Sequence, residues 1–202
     1  MSLWQASDPL VLASKSASRR ALLEAAGVAV EIVPADIDER GVEASAGAIG
    51  PGNAAALLAR EKARAVAANM PGRVVLGADQ TLALRDRRFS KATDRDGARL
   101  QLATLRGKTH MLHSALAVVR NDEILFETID TARLTMRAFS EDFLERYLDT
   151  VGSAALSSVG GYQLEGAGIQ LFDRVEGDHP TILGLPLLPL LHWLRREGLL
   201  AE

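Results

Sequence analysis

The chain contains no cysteine among its 202 residues. That excludes a disulfide framework, a thiolate nucleophile and a cysteine-based metal site, and nothing points to an oxidising compartment. Aromatic residues are scarce, at 4%, which argues against base stacking as a mode of nucleic-acid recognition. Positive charge is not in excess either. Lys and Arg number 23 against 26 Asp and Glu, a formal net charge of -3. A duplex-binding surface would have to be a local patch, so no nucleic-acid partner is expected. No window reaches the roughly 20 apolar residues of a membrane span. The opening MSLWQASDPLVLAS lacks the basic start and long apolar core of a signal peptide. The chain therefore reads as soluble and cytoplasmic, with no membrane partner. Repeats and low-complexity linkers are also missing.

What remains is ordinary globular material, 48% hydrophobic and 24% charged, long enough to bury a core. Leu10 to Ala13 is a short apolar run, Ser14 to Ser18 is small or polar, and Arg19-Arg20 opens an amphipathic segment that ends near Gly27. That order reads as strand, loop, helix. Val28 to Val33 alternates as a strand, and Pro34 to Gly52 reads as a loop carrying Asp36, Asp38, Glu39 and Glu43. Asn53 is placed to cap an Ala-rich helix from Ala54 to Met70. Arg73 to Ala78 is a buried-strand run with Asp79 directly after it, and Thr81 to Leu84 continues towards a charged turn, Arg85 to Arg88. A helix is expected from Asp94 to Thr104, and paired strands over Lys108 to Val119 and Glu123 to Met136, joined at Asn121-Asp122. Ser140 caps a helix from Glu141 to about Asp149. Gly160 to Gly168 is glycine-rich, Ile169 to Val175 is a strand, and Leu185 to Arg196 is a last helix, with Pro186 near its start and Gly198 beyond its end. Mixed strands and helices without repeats predict a single α/β domain over residues 1–202, with two lobes around a cleft.

The chemistry concentrates at strand ends. The hydroxyls of Ser14, Ser16 and Ser18, Lys15 and two arginines in a first helical turn would converge where backbone N–H groups are unpaired, a setting that favours a phosphate. Two positive charges there are unfavourable against the helix dipole, and an anion relieves them. Taken alone, the stretch also reads as a solvated basic turn. A carboxylate at the end of an apolar strand, Asp79, must be paired, hydrogen-bonded or coordinating a cation, and α/β sheets place ligands at strand ends. With Glu39 it would hold a divalent ion, although a cap or turn aspartate reads as well from the residue alone. Lys62 in AREKAR and Lys91 in FSKATD are surface lysines unless the fold brings them to the phosphates. Gly107-Lys108-Thr109 ends like a P-loop, but Leu102 stands where that motif needs its first glycine. His110 and His113, three apart in a strand, point to opposite faces and make no metal pair.

Several segments in order resemble the Maf family of nucleoside triphosphate pyrophosphatases: LASKSASRRALLEAAG, ADIDER, AREKARAVA, VVLGADQTL, SKATDRDGARLQLATLRGKTH and EGAGIQLFDRVEGDHPTILGLPLLPLLHWLRREG. The resemblance implies an elongated mixed sheet flanked by helices, related to the inosine triphosphate pyrophosphatases. It implies hydrolysis of a nucleoside triphosphate to the monophosphate and pyrophosphate with Mg²⁺ or Mn²⁺. By the same resemblance Ser14, Arg19, Arg20, Lys62 and Lys91 meet the phosphates, Glu39 and Asp79 hold the metal, and Asp79 accepts the proton of the attacking water. Lys91 stands in Ser90-Lys91-Ala92, without the glycine and proline that flank the family's lysine. Ser18, Gln80 and Glu165 occupy positions that track base preference. Gln80 and Glu165 are similar to the branch acting on 7-methyl-GTP, while Ser18 departs from the large aromatic often found there. A dTTP/UTP pyrophosphatase and a nucleotide-binding regulator of septum formation and cell division are the alternatives. The apolar stretch Ile182 to Leu191 suits either a core or a homodimer face.

Overall fold

A computed structural model describes residues 2–202. Its elements are strands β1 (Leu10–Leu12), β2 (Val30–Ile32), β3 (Val75–Leu84), β4 (Arg87–Phe89), β5 (Thr109–Arg120), β6 (Glu123–Met136) and β7 (Phe172–Glu176). The helices are α1 (Ala17–Ala25), α2 (Glu39–Ser45), α3 (Pro51–Ala67), α4 (Arg95–Leu105), α5 (Glu141–Val151), α6 (His179–Ile182) and α7 (Leu187–Arg196). The strands form one sheet in the order β2-β1-β3-β5-β6-β7, with β4 paired to β3. β1 runs parallel to both β2 and β3, whereas β3–β4 and β6–β7 are antiparallel. This is the expected mixed α/β sheet. The chain divides into two compact units, one formed by residues up to Gln80 with His113–Asp130 and His179–Glu202, the other by Thr81–Leu112 and Thr131–Asp178.

In the first unit, strand alternation sorts the core onto two faces. Leu10, Leu12, Leu76, Ala78, Leu116 and Val118 pack with α1 and α7 through Leu23, Leu190, Trp193 and Leu194. Val11, Ala13, Val75 and Val119 pack against α3 through Ala63, Val66 and Ala67. α3 comes unusually close to the sheet. Its Ala55, Ala56 and Ala59 cluster with Ala115 and Ala117, and a Cβ added to Gly77 would overlap the Ala59 carbonyl oxygen and sit 2.7 Å from the Ala63 nitrogen. Only glycine fits there.

Four expected boundaries are corrected by the structure. The segment 34–52 contains α2, capped by the Asp38 side chain accepting from the Gly41 N–H; none of its residues is buried, so it leaves no apolar period to read. α3 begins at Pro51 behind Gly50, so Asn53 is inside the helix rather than at its cap; proline's fixed φ suits the first turn. Asp79 lies within β3 and not beyond its end, because Gln80–Leu84 prolong the strand. Ile169 belongs to a 3-10 turn, Ala167–Leu171, and the strand starts at Phe172.

The second unit buries His110 against Tyr162 and Phe172, with ring centroids 5.7 and 5.9 Å away. Its Nε2 shares a 2.7 Å hydrogen bond with the Tyr162 hydroxyl, while Nδ1 has no partner. Burial pushes the imidazole pKa down to about 4, from an ordinary 6.5. A group whose folded-state pKa is depressed contributes stability that is complete above its unfolded value and lost as pH falls through the folded one. The native unit should therefore lose about 3 kcal/mol between pH 6.5 and 4 from this residue. Urea unfolding of His110→Gln across that window should show uptake of one proton fewer than wild type; an unchanged slope would refute the assignment.

Candidate functional site

Ser14 follows β1, and the Ser16 side chain caps α1 by accepting from the Arg19 N–H. Placing Arg19 in the first turn aims its guanidinium back over the end of β1 and the interior of β3. Nε donates to the Gly184 carbonyl at 2.8 Å, and Nη1 to the Ala78 carbonyl at 2.9 Å and the Ser14 hydroxyl at 3.2 Å. All three acceptors are neutral, and no carboxylate pairs with Arg19 among the described residues. Burial lowers the arginine's pKa, against the opposing fields of Asp79 and Glu39. A desolvated guanidinium with only neutral partners is poised for an anion. Gly184 has a positive φ of 97°, and a Cβ there would come within 3.2 Å of the guanidinium. The turn that offers its carbonyl to Arg19 takes a conformation that favours glycine.

On the other face of β3, the Lys62 ammonium bridges two carboxylates, Asp79 Oδ1 at 2.7 Å and Glu39 Oε1 at 2.8 Å. α3 supplies Lys62 through its close seat on Gly77, and α2 supplies Glu39 from its first turn. Burial raises the Asp79 pKa, and Lys62 and Arg19 counter that rise without cancelling it. Two carboxylates converging on one cation fit a Mg²⁺-type ion, which takes one or two carboxylates and completes its shell from phosphate and water. No third His, Cys, Asp or Glu joins them among the described residues, so they do not form a protein-only cage.

The structure thus brings Ser14, Arg19, Glu39, Lys62 and Asp79 into the first unit. Arg20 is turned along α1 to Glu24, at 2.7 Å. Ser18 sits half-buried in the first turn of α1. Lys91, after β4, and Glu165, on the glycine-rich turn, are exposed residues of the second unit. Gln80 is adjacent to Asp79 but faces away from it. Its Nε2 is 2.8 Å from Ser114 Oγ, 3.1 Å from the Thr181 carbonyl and 3.0 Å from the Ile182 carbonyl. Ser114 carried no motif, and Thr181 and Gly184 lie in the segment EGAGIQLFDRVEGDHPTILGLPLLPLLHWLRREG without a role read for either. The one visible signal of Ser114 is its place directly before the small and apolar run Ala115 to Val119.

This is an α/β protein with a desolvated guanidinium on one face of a central strand and a carboxylate pair bridged by lysine on the other. The Maf-like protein family model matches residues 9–197. The chain belongs to that family. It is 56% identical over 201 residues, 100% of both chains, to a nucleoside triphosphate pyrophosphatase of Rhodopseudomonas palustris strain BisB18. A 7-methyl-GTP pyrophosphatase of Rhizobium etli is 51% identical over 191 residues, 94% of this chain and 96% of its own. Among solved structures, a HAM1 protein from Coxiella burnetii aligns with 64% of this chain and 73% of its own, at 18% identity and a TM-score of 0.43. No helix among the described residues is long and apolar enough to cross a membrane.

Proposed function

We propose that this protein hydrolyses a nucleoside triphosphate to the monophosphate and pyrophosphate. The observation that carries the reading is the Arg19 guanidinium, desolvated yet held only by neutral oxygens, next to a strand that bears a lysine-paired carboxylate. Water adds to the α-phosphorus, and the bond from that phosphorus to the bridging oxygen breaks. The water's proton passes to the Asp79 carboxylate, whose raised pKa makes it a better acceptor than a free aspartate. The electron pair of the broken bond leaves with pyrophosphate. Arg19 and Lys62 stabilise the charge that gathers on the phosphate oxygens, and Lys91 would add to them. Glu39 and Asp79 would hold a Mg²⁺ or Mn²⁺ ion, which would supply further neutralisation of that charge.

The base is proposed to be a 7-methylated guanine. A carboxylate suits the N–H donors of a guanine edge, Glu165 is exposed and available for them, and a relative 51% identical to this chain bears the name 7-methyl-GTP pyrophosphatase. Pyrophosphate release should be measured with Mg²⁺ or Mn²⁺ on 7-methyl-GTP, GTP, dTTP, UTP, CTP and ITP. The highest kcat/KM is expected for 7-methyl-GTP. Preference for dTTP or UTP would keep the reaction and overturn the base. Binding without release from any of them would overturn the reaction in favour of a nucleotide-dependent regulator.

A further inference from the structure

We infer that Gln80 and Ser114 are positioning residues for Arg19, so that position 80 acts on the phosphates of the nucleotide and not on its base. The inference rests on the triphosphate reading above. Three acceptors surround one amide nitrogen, Ser114 Oγ and the Thr181 and Ile182 carbonyls. An amide nitrogen has two hydrogens, and both are therefore committed to the protein. The Ser114 hydroxyl in turn donates to the Thr181 carbonyl at 2.7 Å, which leaves its lone pairs to accept from Gln80. Gln80 has no donor left for a base edge.

What this pair holds is α6. Four residues form too short a helix to persist by themselves, and their terminal carbonyls need partners. Gln80 and Ser114 meet the Thr181 and Ile182 carbonyls from β3 and β5, and the Gly184 N–H closes on the Thr181 carbonyl at 3.0 Å. Gly184 then presents its own carbonyl to Arg19 Nε. The path is continuous: a side chain at position 80 fixes two carbonyls, these fix the turn, and the turn orients the guanidinium. Asp79 is outside this path, because its side chain leaves β3 on the α3 face, with Lys62.

The path separates two behaviours. Loss of a base contact changes the ratio between nucleotides and leaves affinity for a base-free polyphosphate alone. Loss of Arg19 alignment weakens every triphosphate, with or without a base. The test uses Gln80→Leu, Ser114→Ala and the double variant, with tripolyphosphate binding by calorimetry and kcat and KM on 7-methyl-GTP and GTP. Each single variant should weaken tripolyphosphate and raise KM for both nucleotides by about five- to tenfold. The preference between nucleotides should hold, and the double variant should lose less than the product of the two. A purely structural defect would reduce the active fraction and leave KM unchanged, so an effect on kcat alone overturns the inference. Ser114→Ala, the milder change, serves if Gln80→Leu does not fold. Unchanged tripolyphosphate binding with an altered preference between nucleotides overturns the inference while the triphosphate reading stands. A wild-type protein that binds neither tripolyphosphate nor nucleotide overturns both.

Discussion

Asp79→Asn should lower pyrophosphate release by about 10²- to 10⁴-fold, the contribution of a well-placed general base. The substitution keeps the shape of the side chain and an oxygen for the Lys62 ammonium, now 2.7 Å from Oδ1. It removes the basicity, and with it the negative charge that faces Lys62 and that would help hold a divalent ion. Lys62 also retains Glu39 at 2.8 Å, so no buried cation is stranded. The melting temperature should therefore stay near that of wild type, which separates a catalytic loss from an unfolded sample. Retention of more than about a tenth of wild-type turnover, well above a general-base loss, would exclude Asp79 as the proton acceptor.

The second large effect is expected at a residue with no side chain. Gly77→Ala would drive a methyl into the Ala59 carbonyl and towards the Ala63 nitrogen, at 2.7 Å. Backbone on an adjacent helix cannot swing aside as a flexible side chain does. Relief requires α3 to lift from β3, which also withdraws Lys62 from Asp79. Overpacking of this kind costs about 3 kcal/mol, or a fall in Tm of roughly 6–12 °C for a chain of this size. Turnover should fall with it even at temperatures where the variant remains folded. Gly52→Ala is the control. It lies in the same helix, its added methyl would meet nothing nearer than 3.6 Å, and alanine favours helix. Thermal melts that shift equally for both variants would refute the close seat of α3.

Both effects depend on features that differ in how far the sequence discloses them. The first strand, loop and helix were legible because an apolar run, a polar loop and an amphipathic segment follow each other directly from Leu10 to Gly27. Asp79 stood out because a carboxylate beside an apolar strand run needs a partner, although its position inside β3 was hidden by the polar residues that continue the strand. α2 was hidden for the opposite reason: a helix without a buried side chain has no apolar period. The site residues were visible as types, but their partners were not. Arg19 meets a carbonyl 165 residues away, and Gln80 meets two more than 100 residues away. Carbonyls belong to every residue, so no sequence pattern marks the ones that a guanidinium or an amide will find. Gln80 itself carried a family association with base preference. Only the fold reveals that its amide is already engaged.

The alternation of β3 has one more consequence. Asp79 and Gln80 serve opposite faces of the sheet by parity alone, and that parity is pinned where Val75 and Leu76 pair with Val11 and Leu12 of β1. Deleting or inserting a single residue between Leu76 and Asp79 leaves every functional group present in the sequence and exchanges the faces to which they point. A deletion would bring the amide to the place beside Lys62, and an insertion would bring the carboxylate to the carbonyls of α6. Along these few residues the spacing constrains the site as firmly as the glycine at position 77 does.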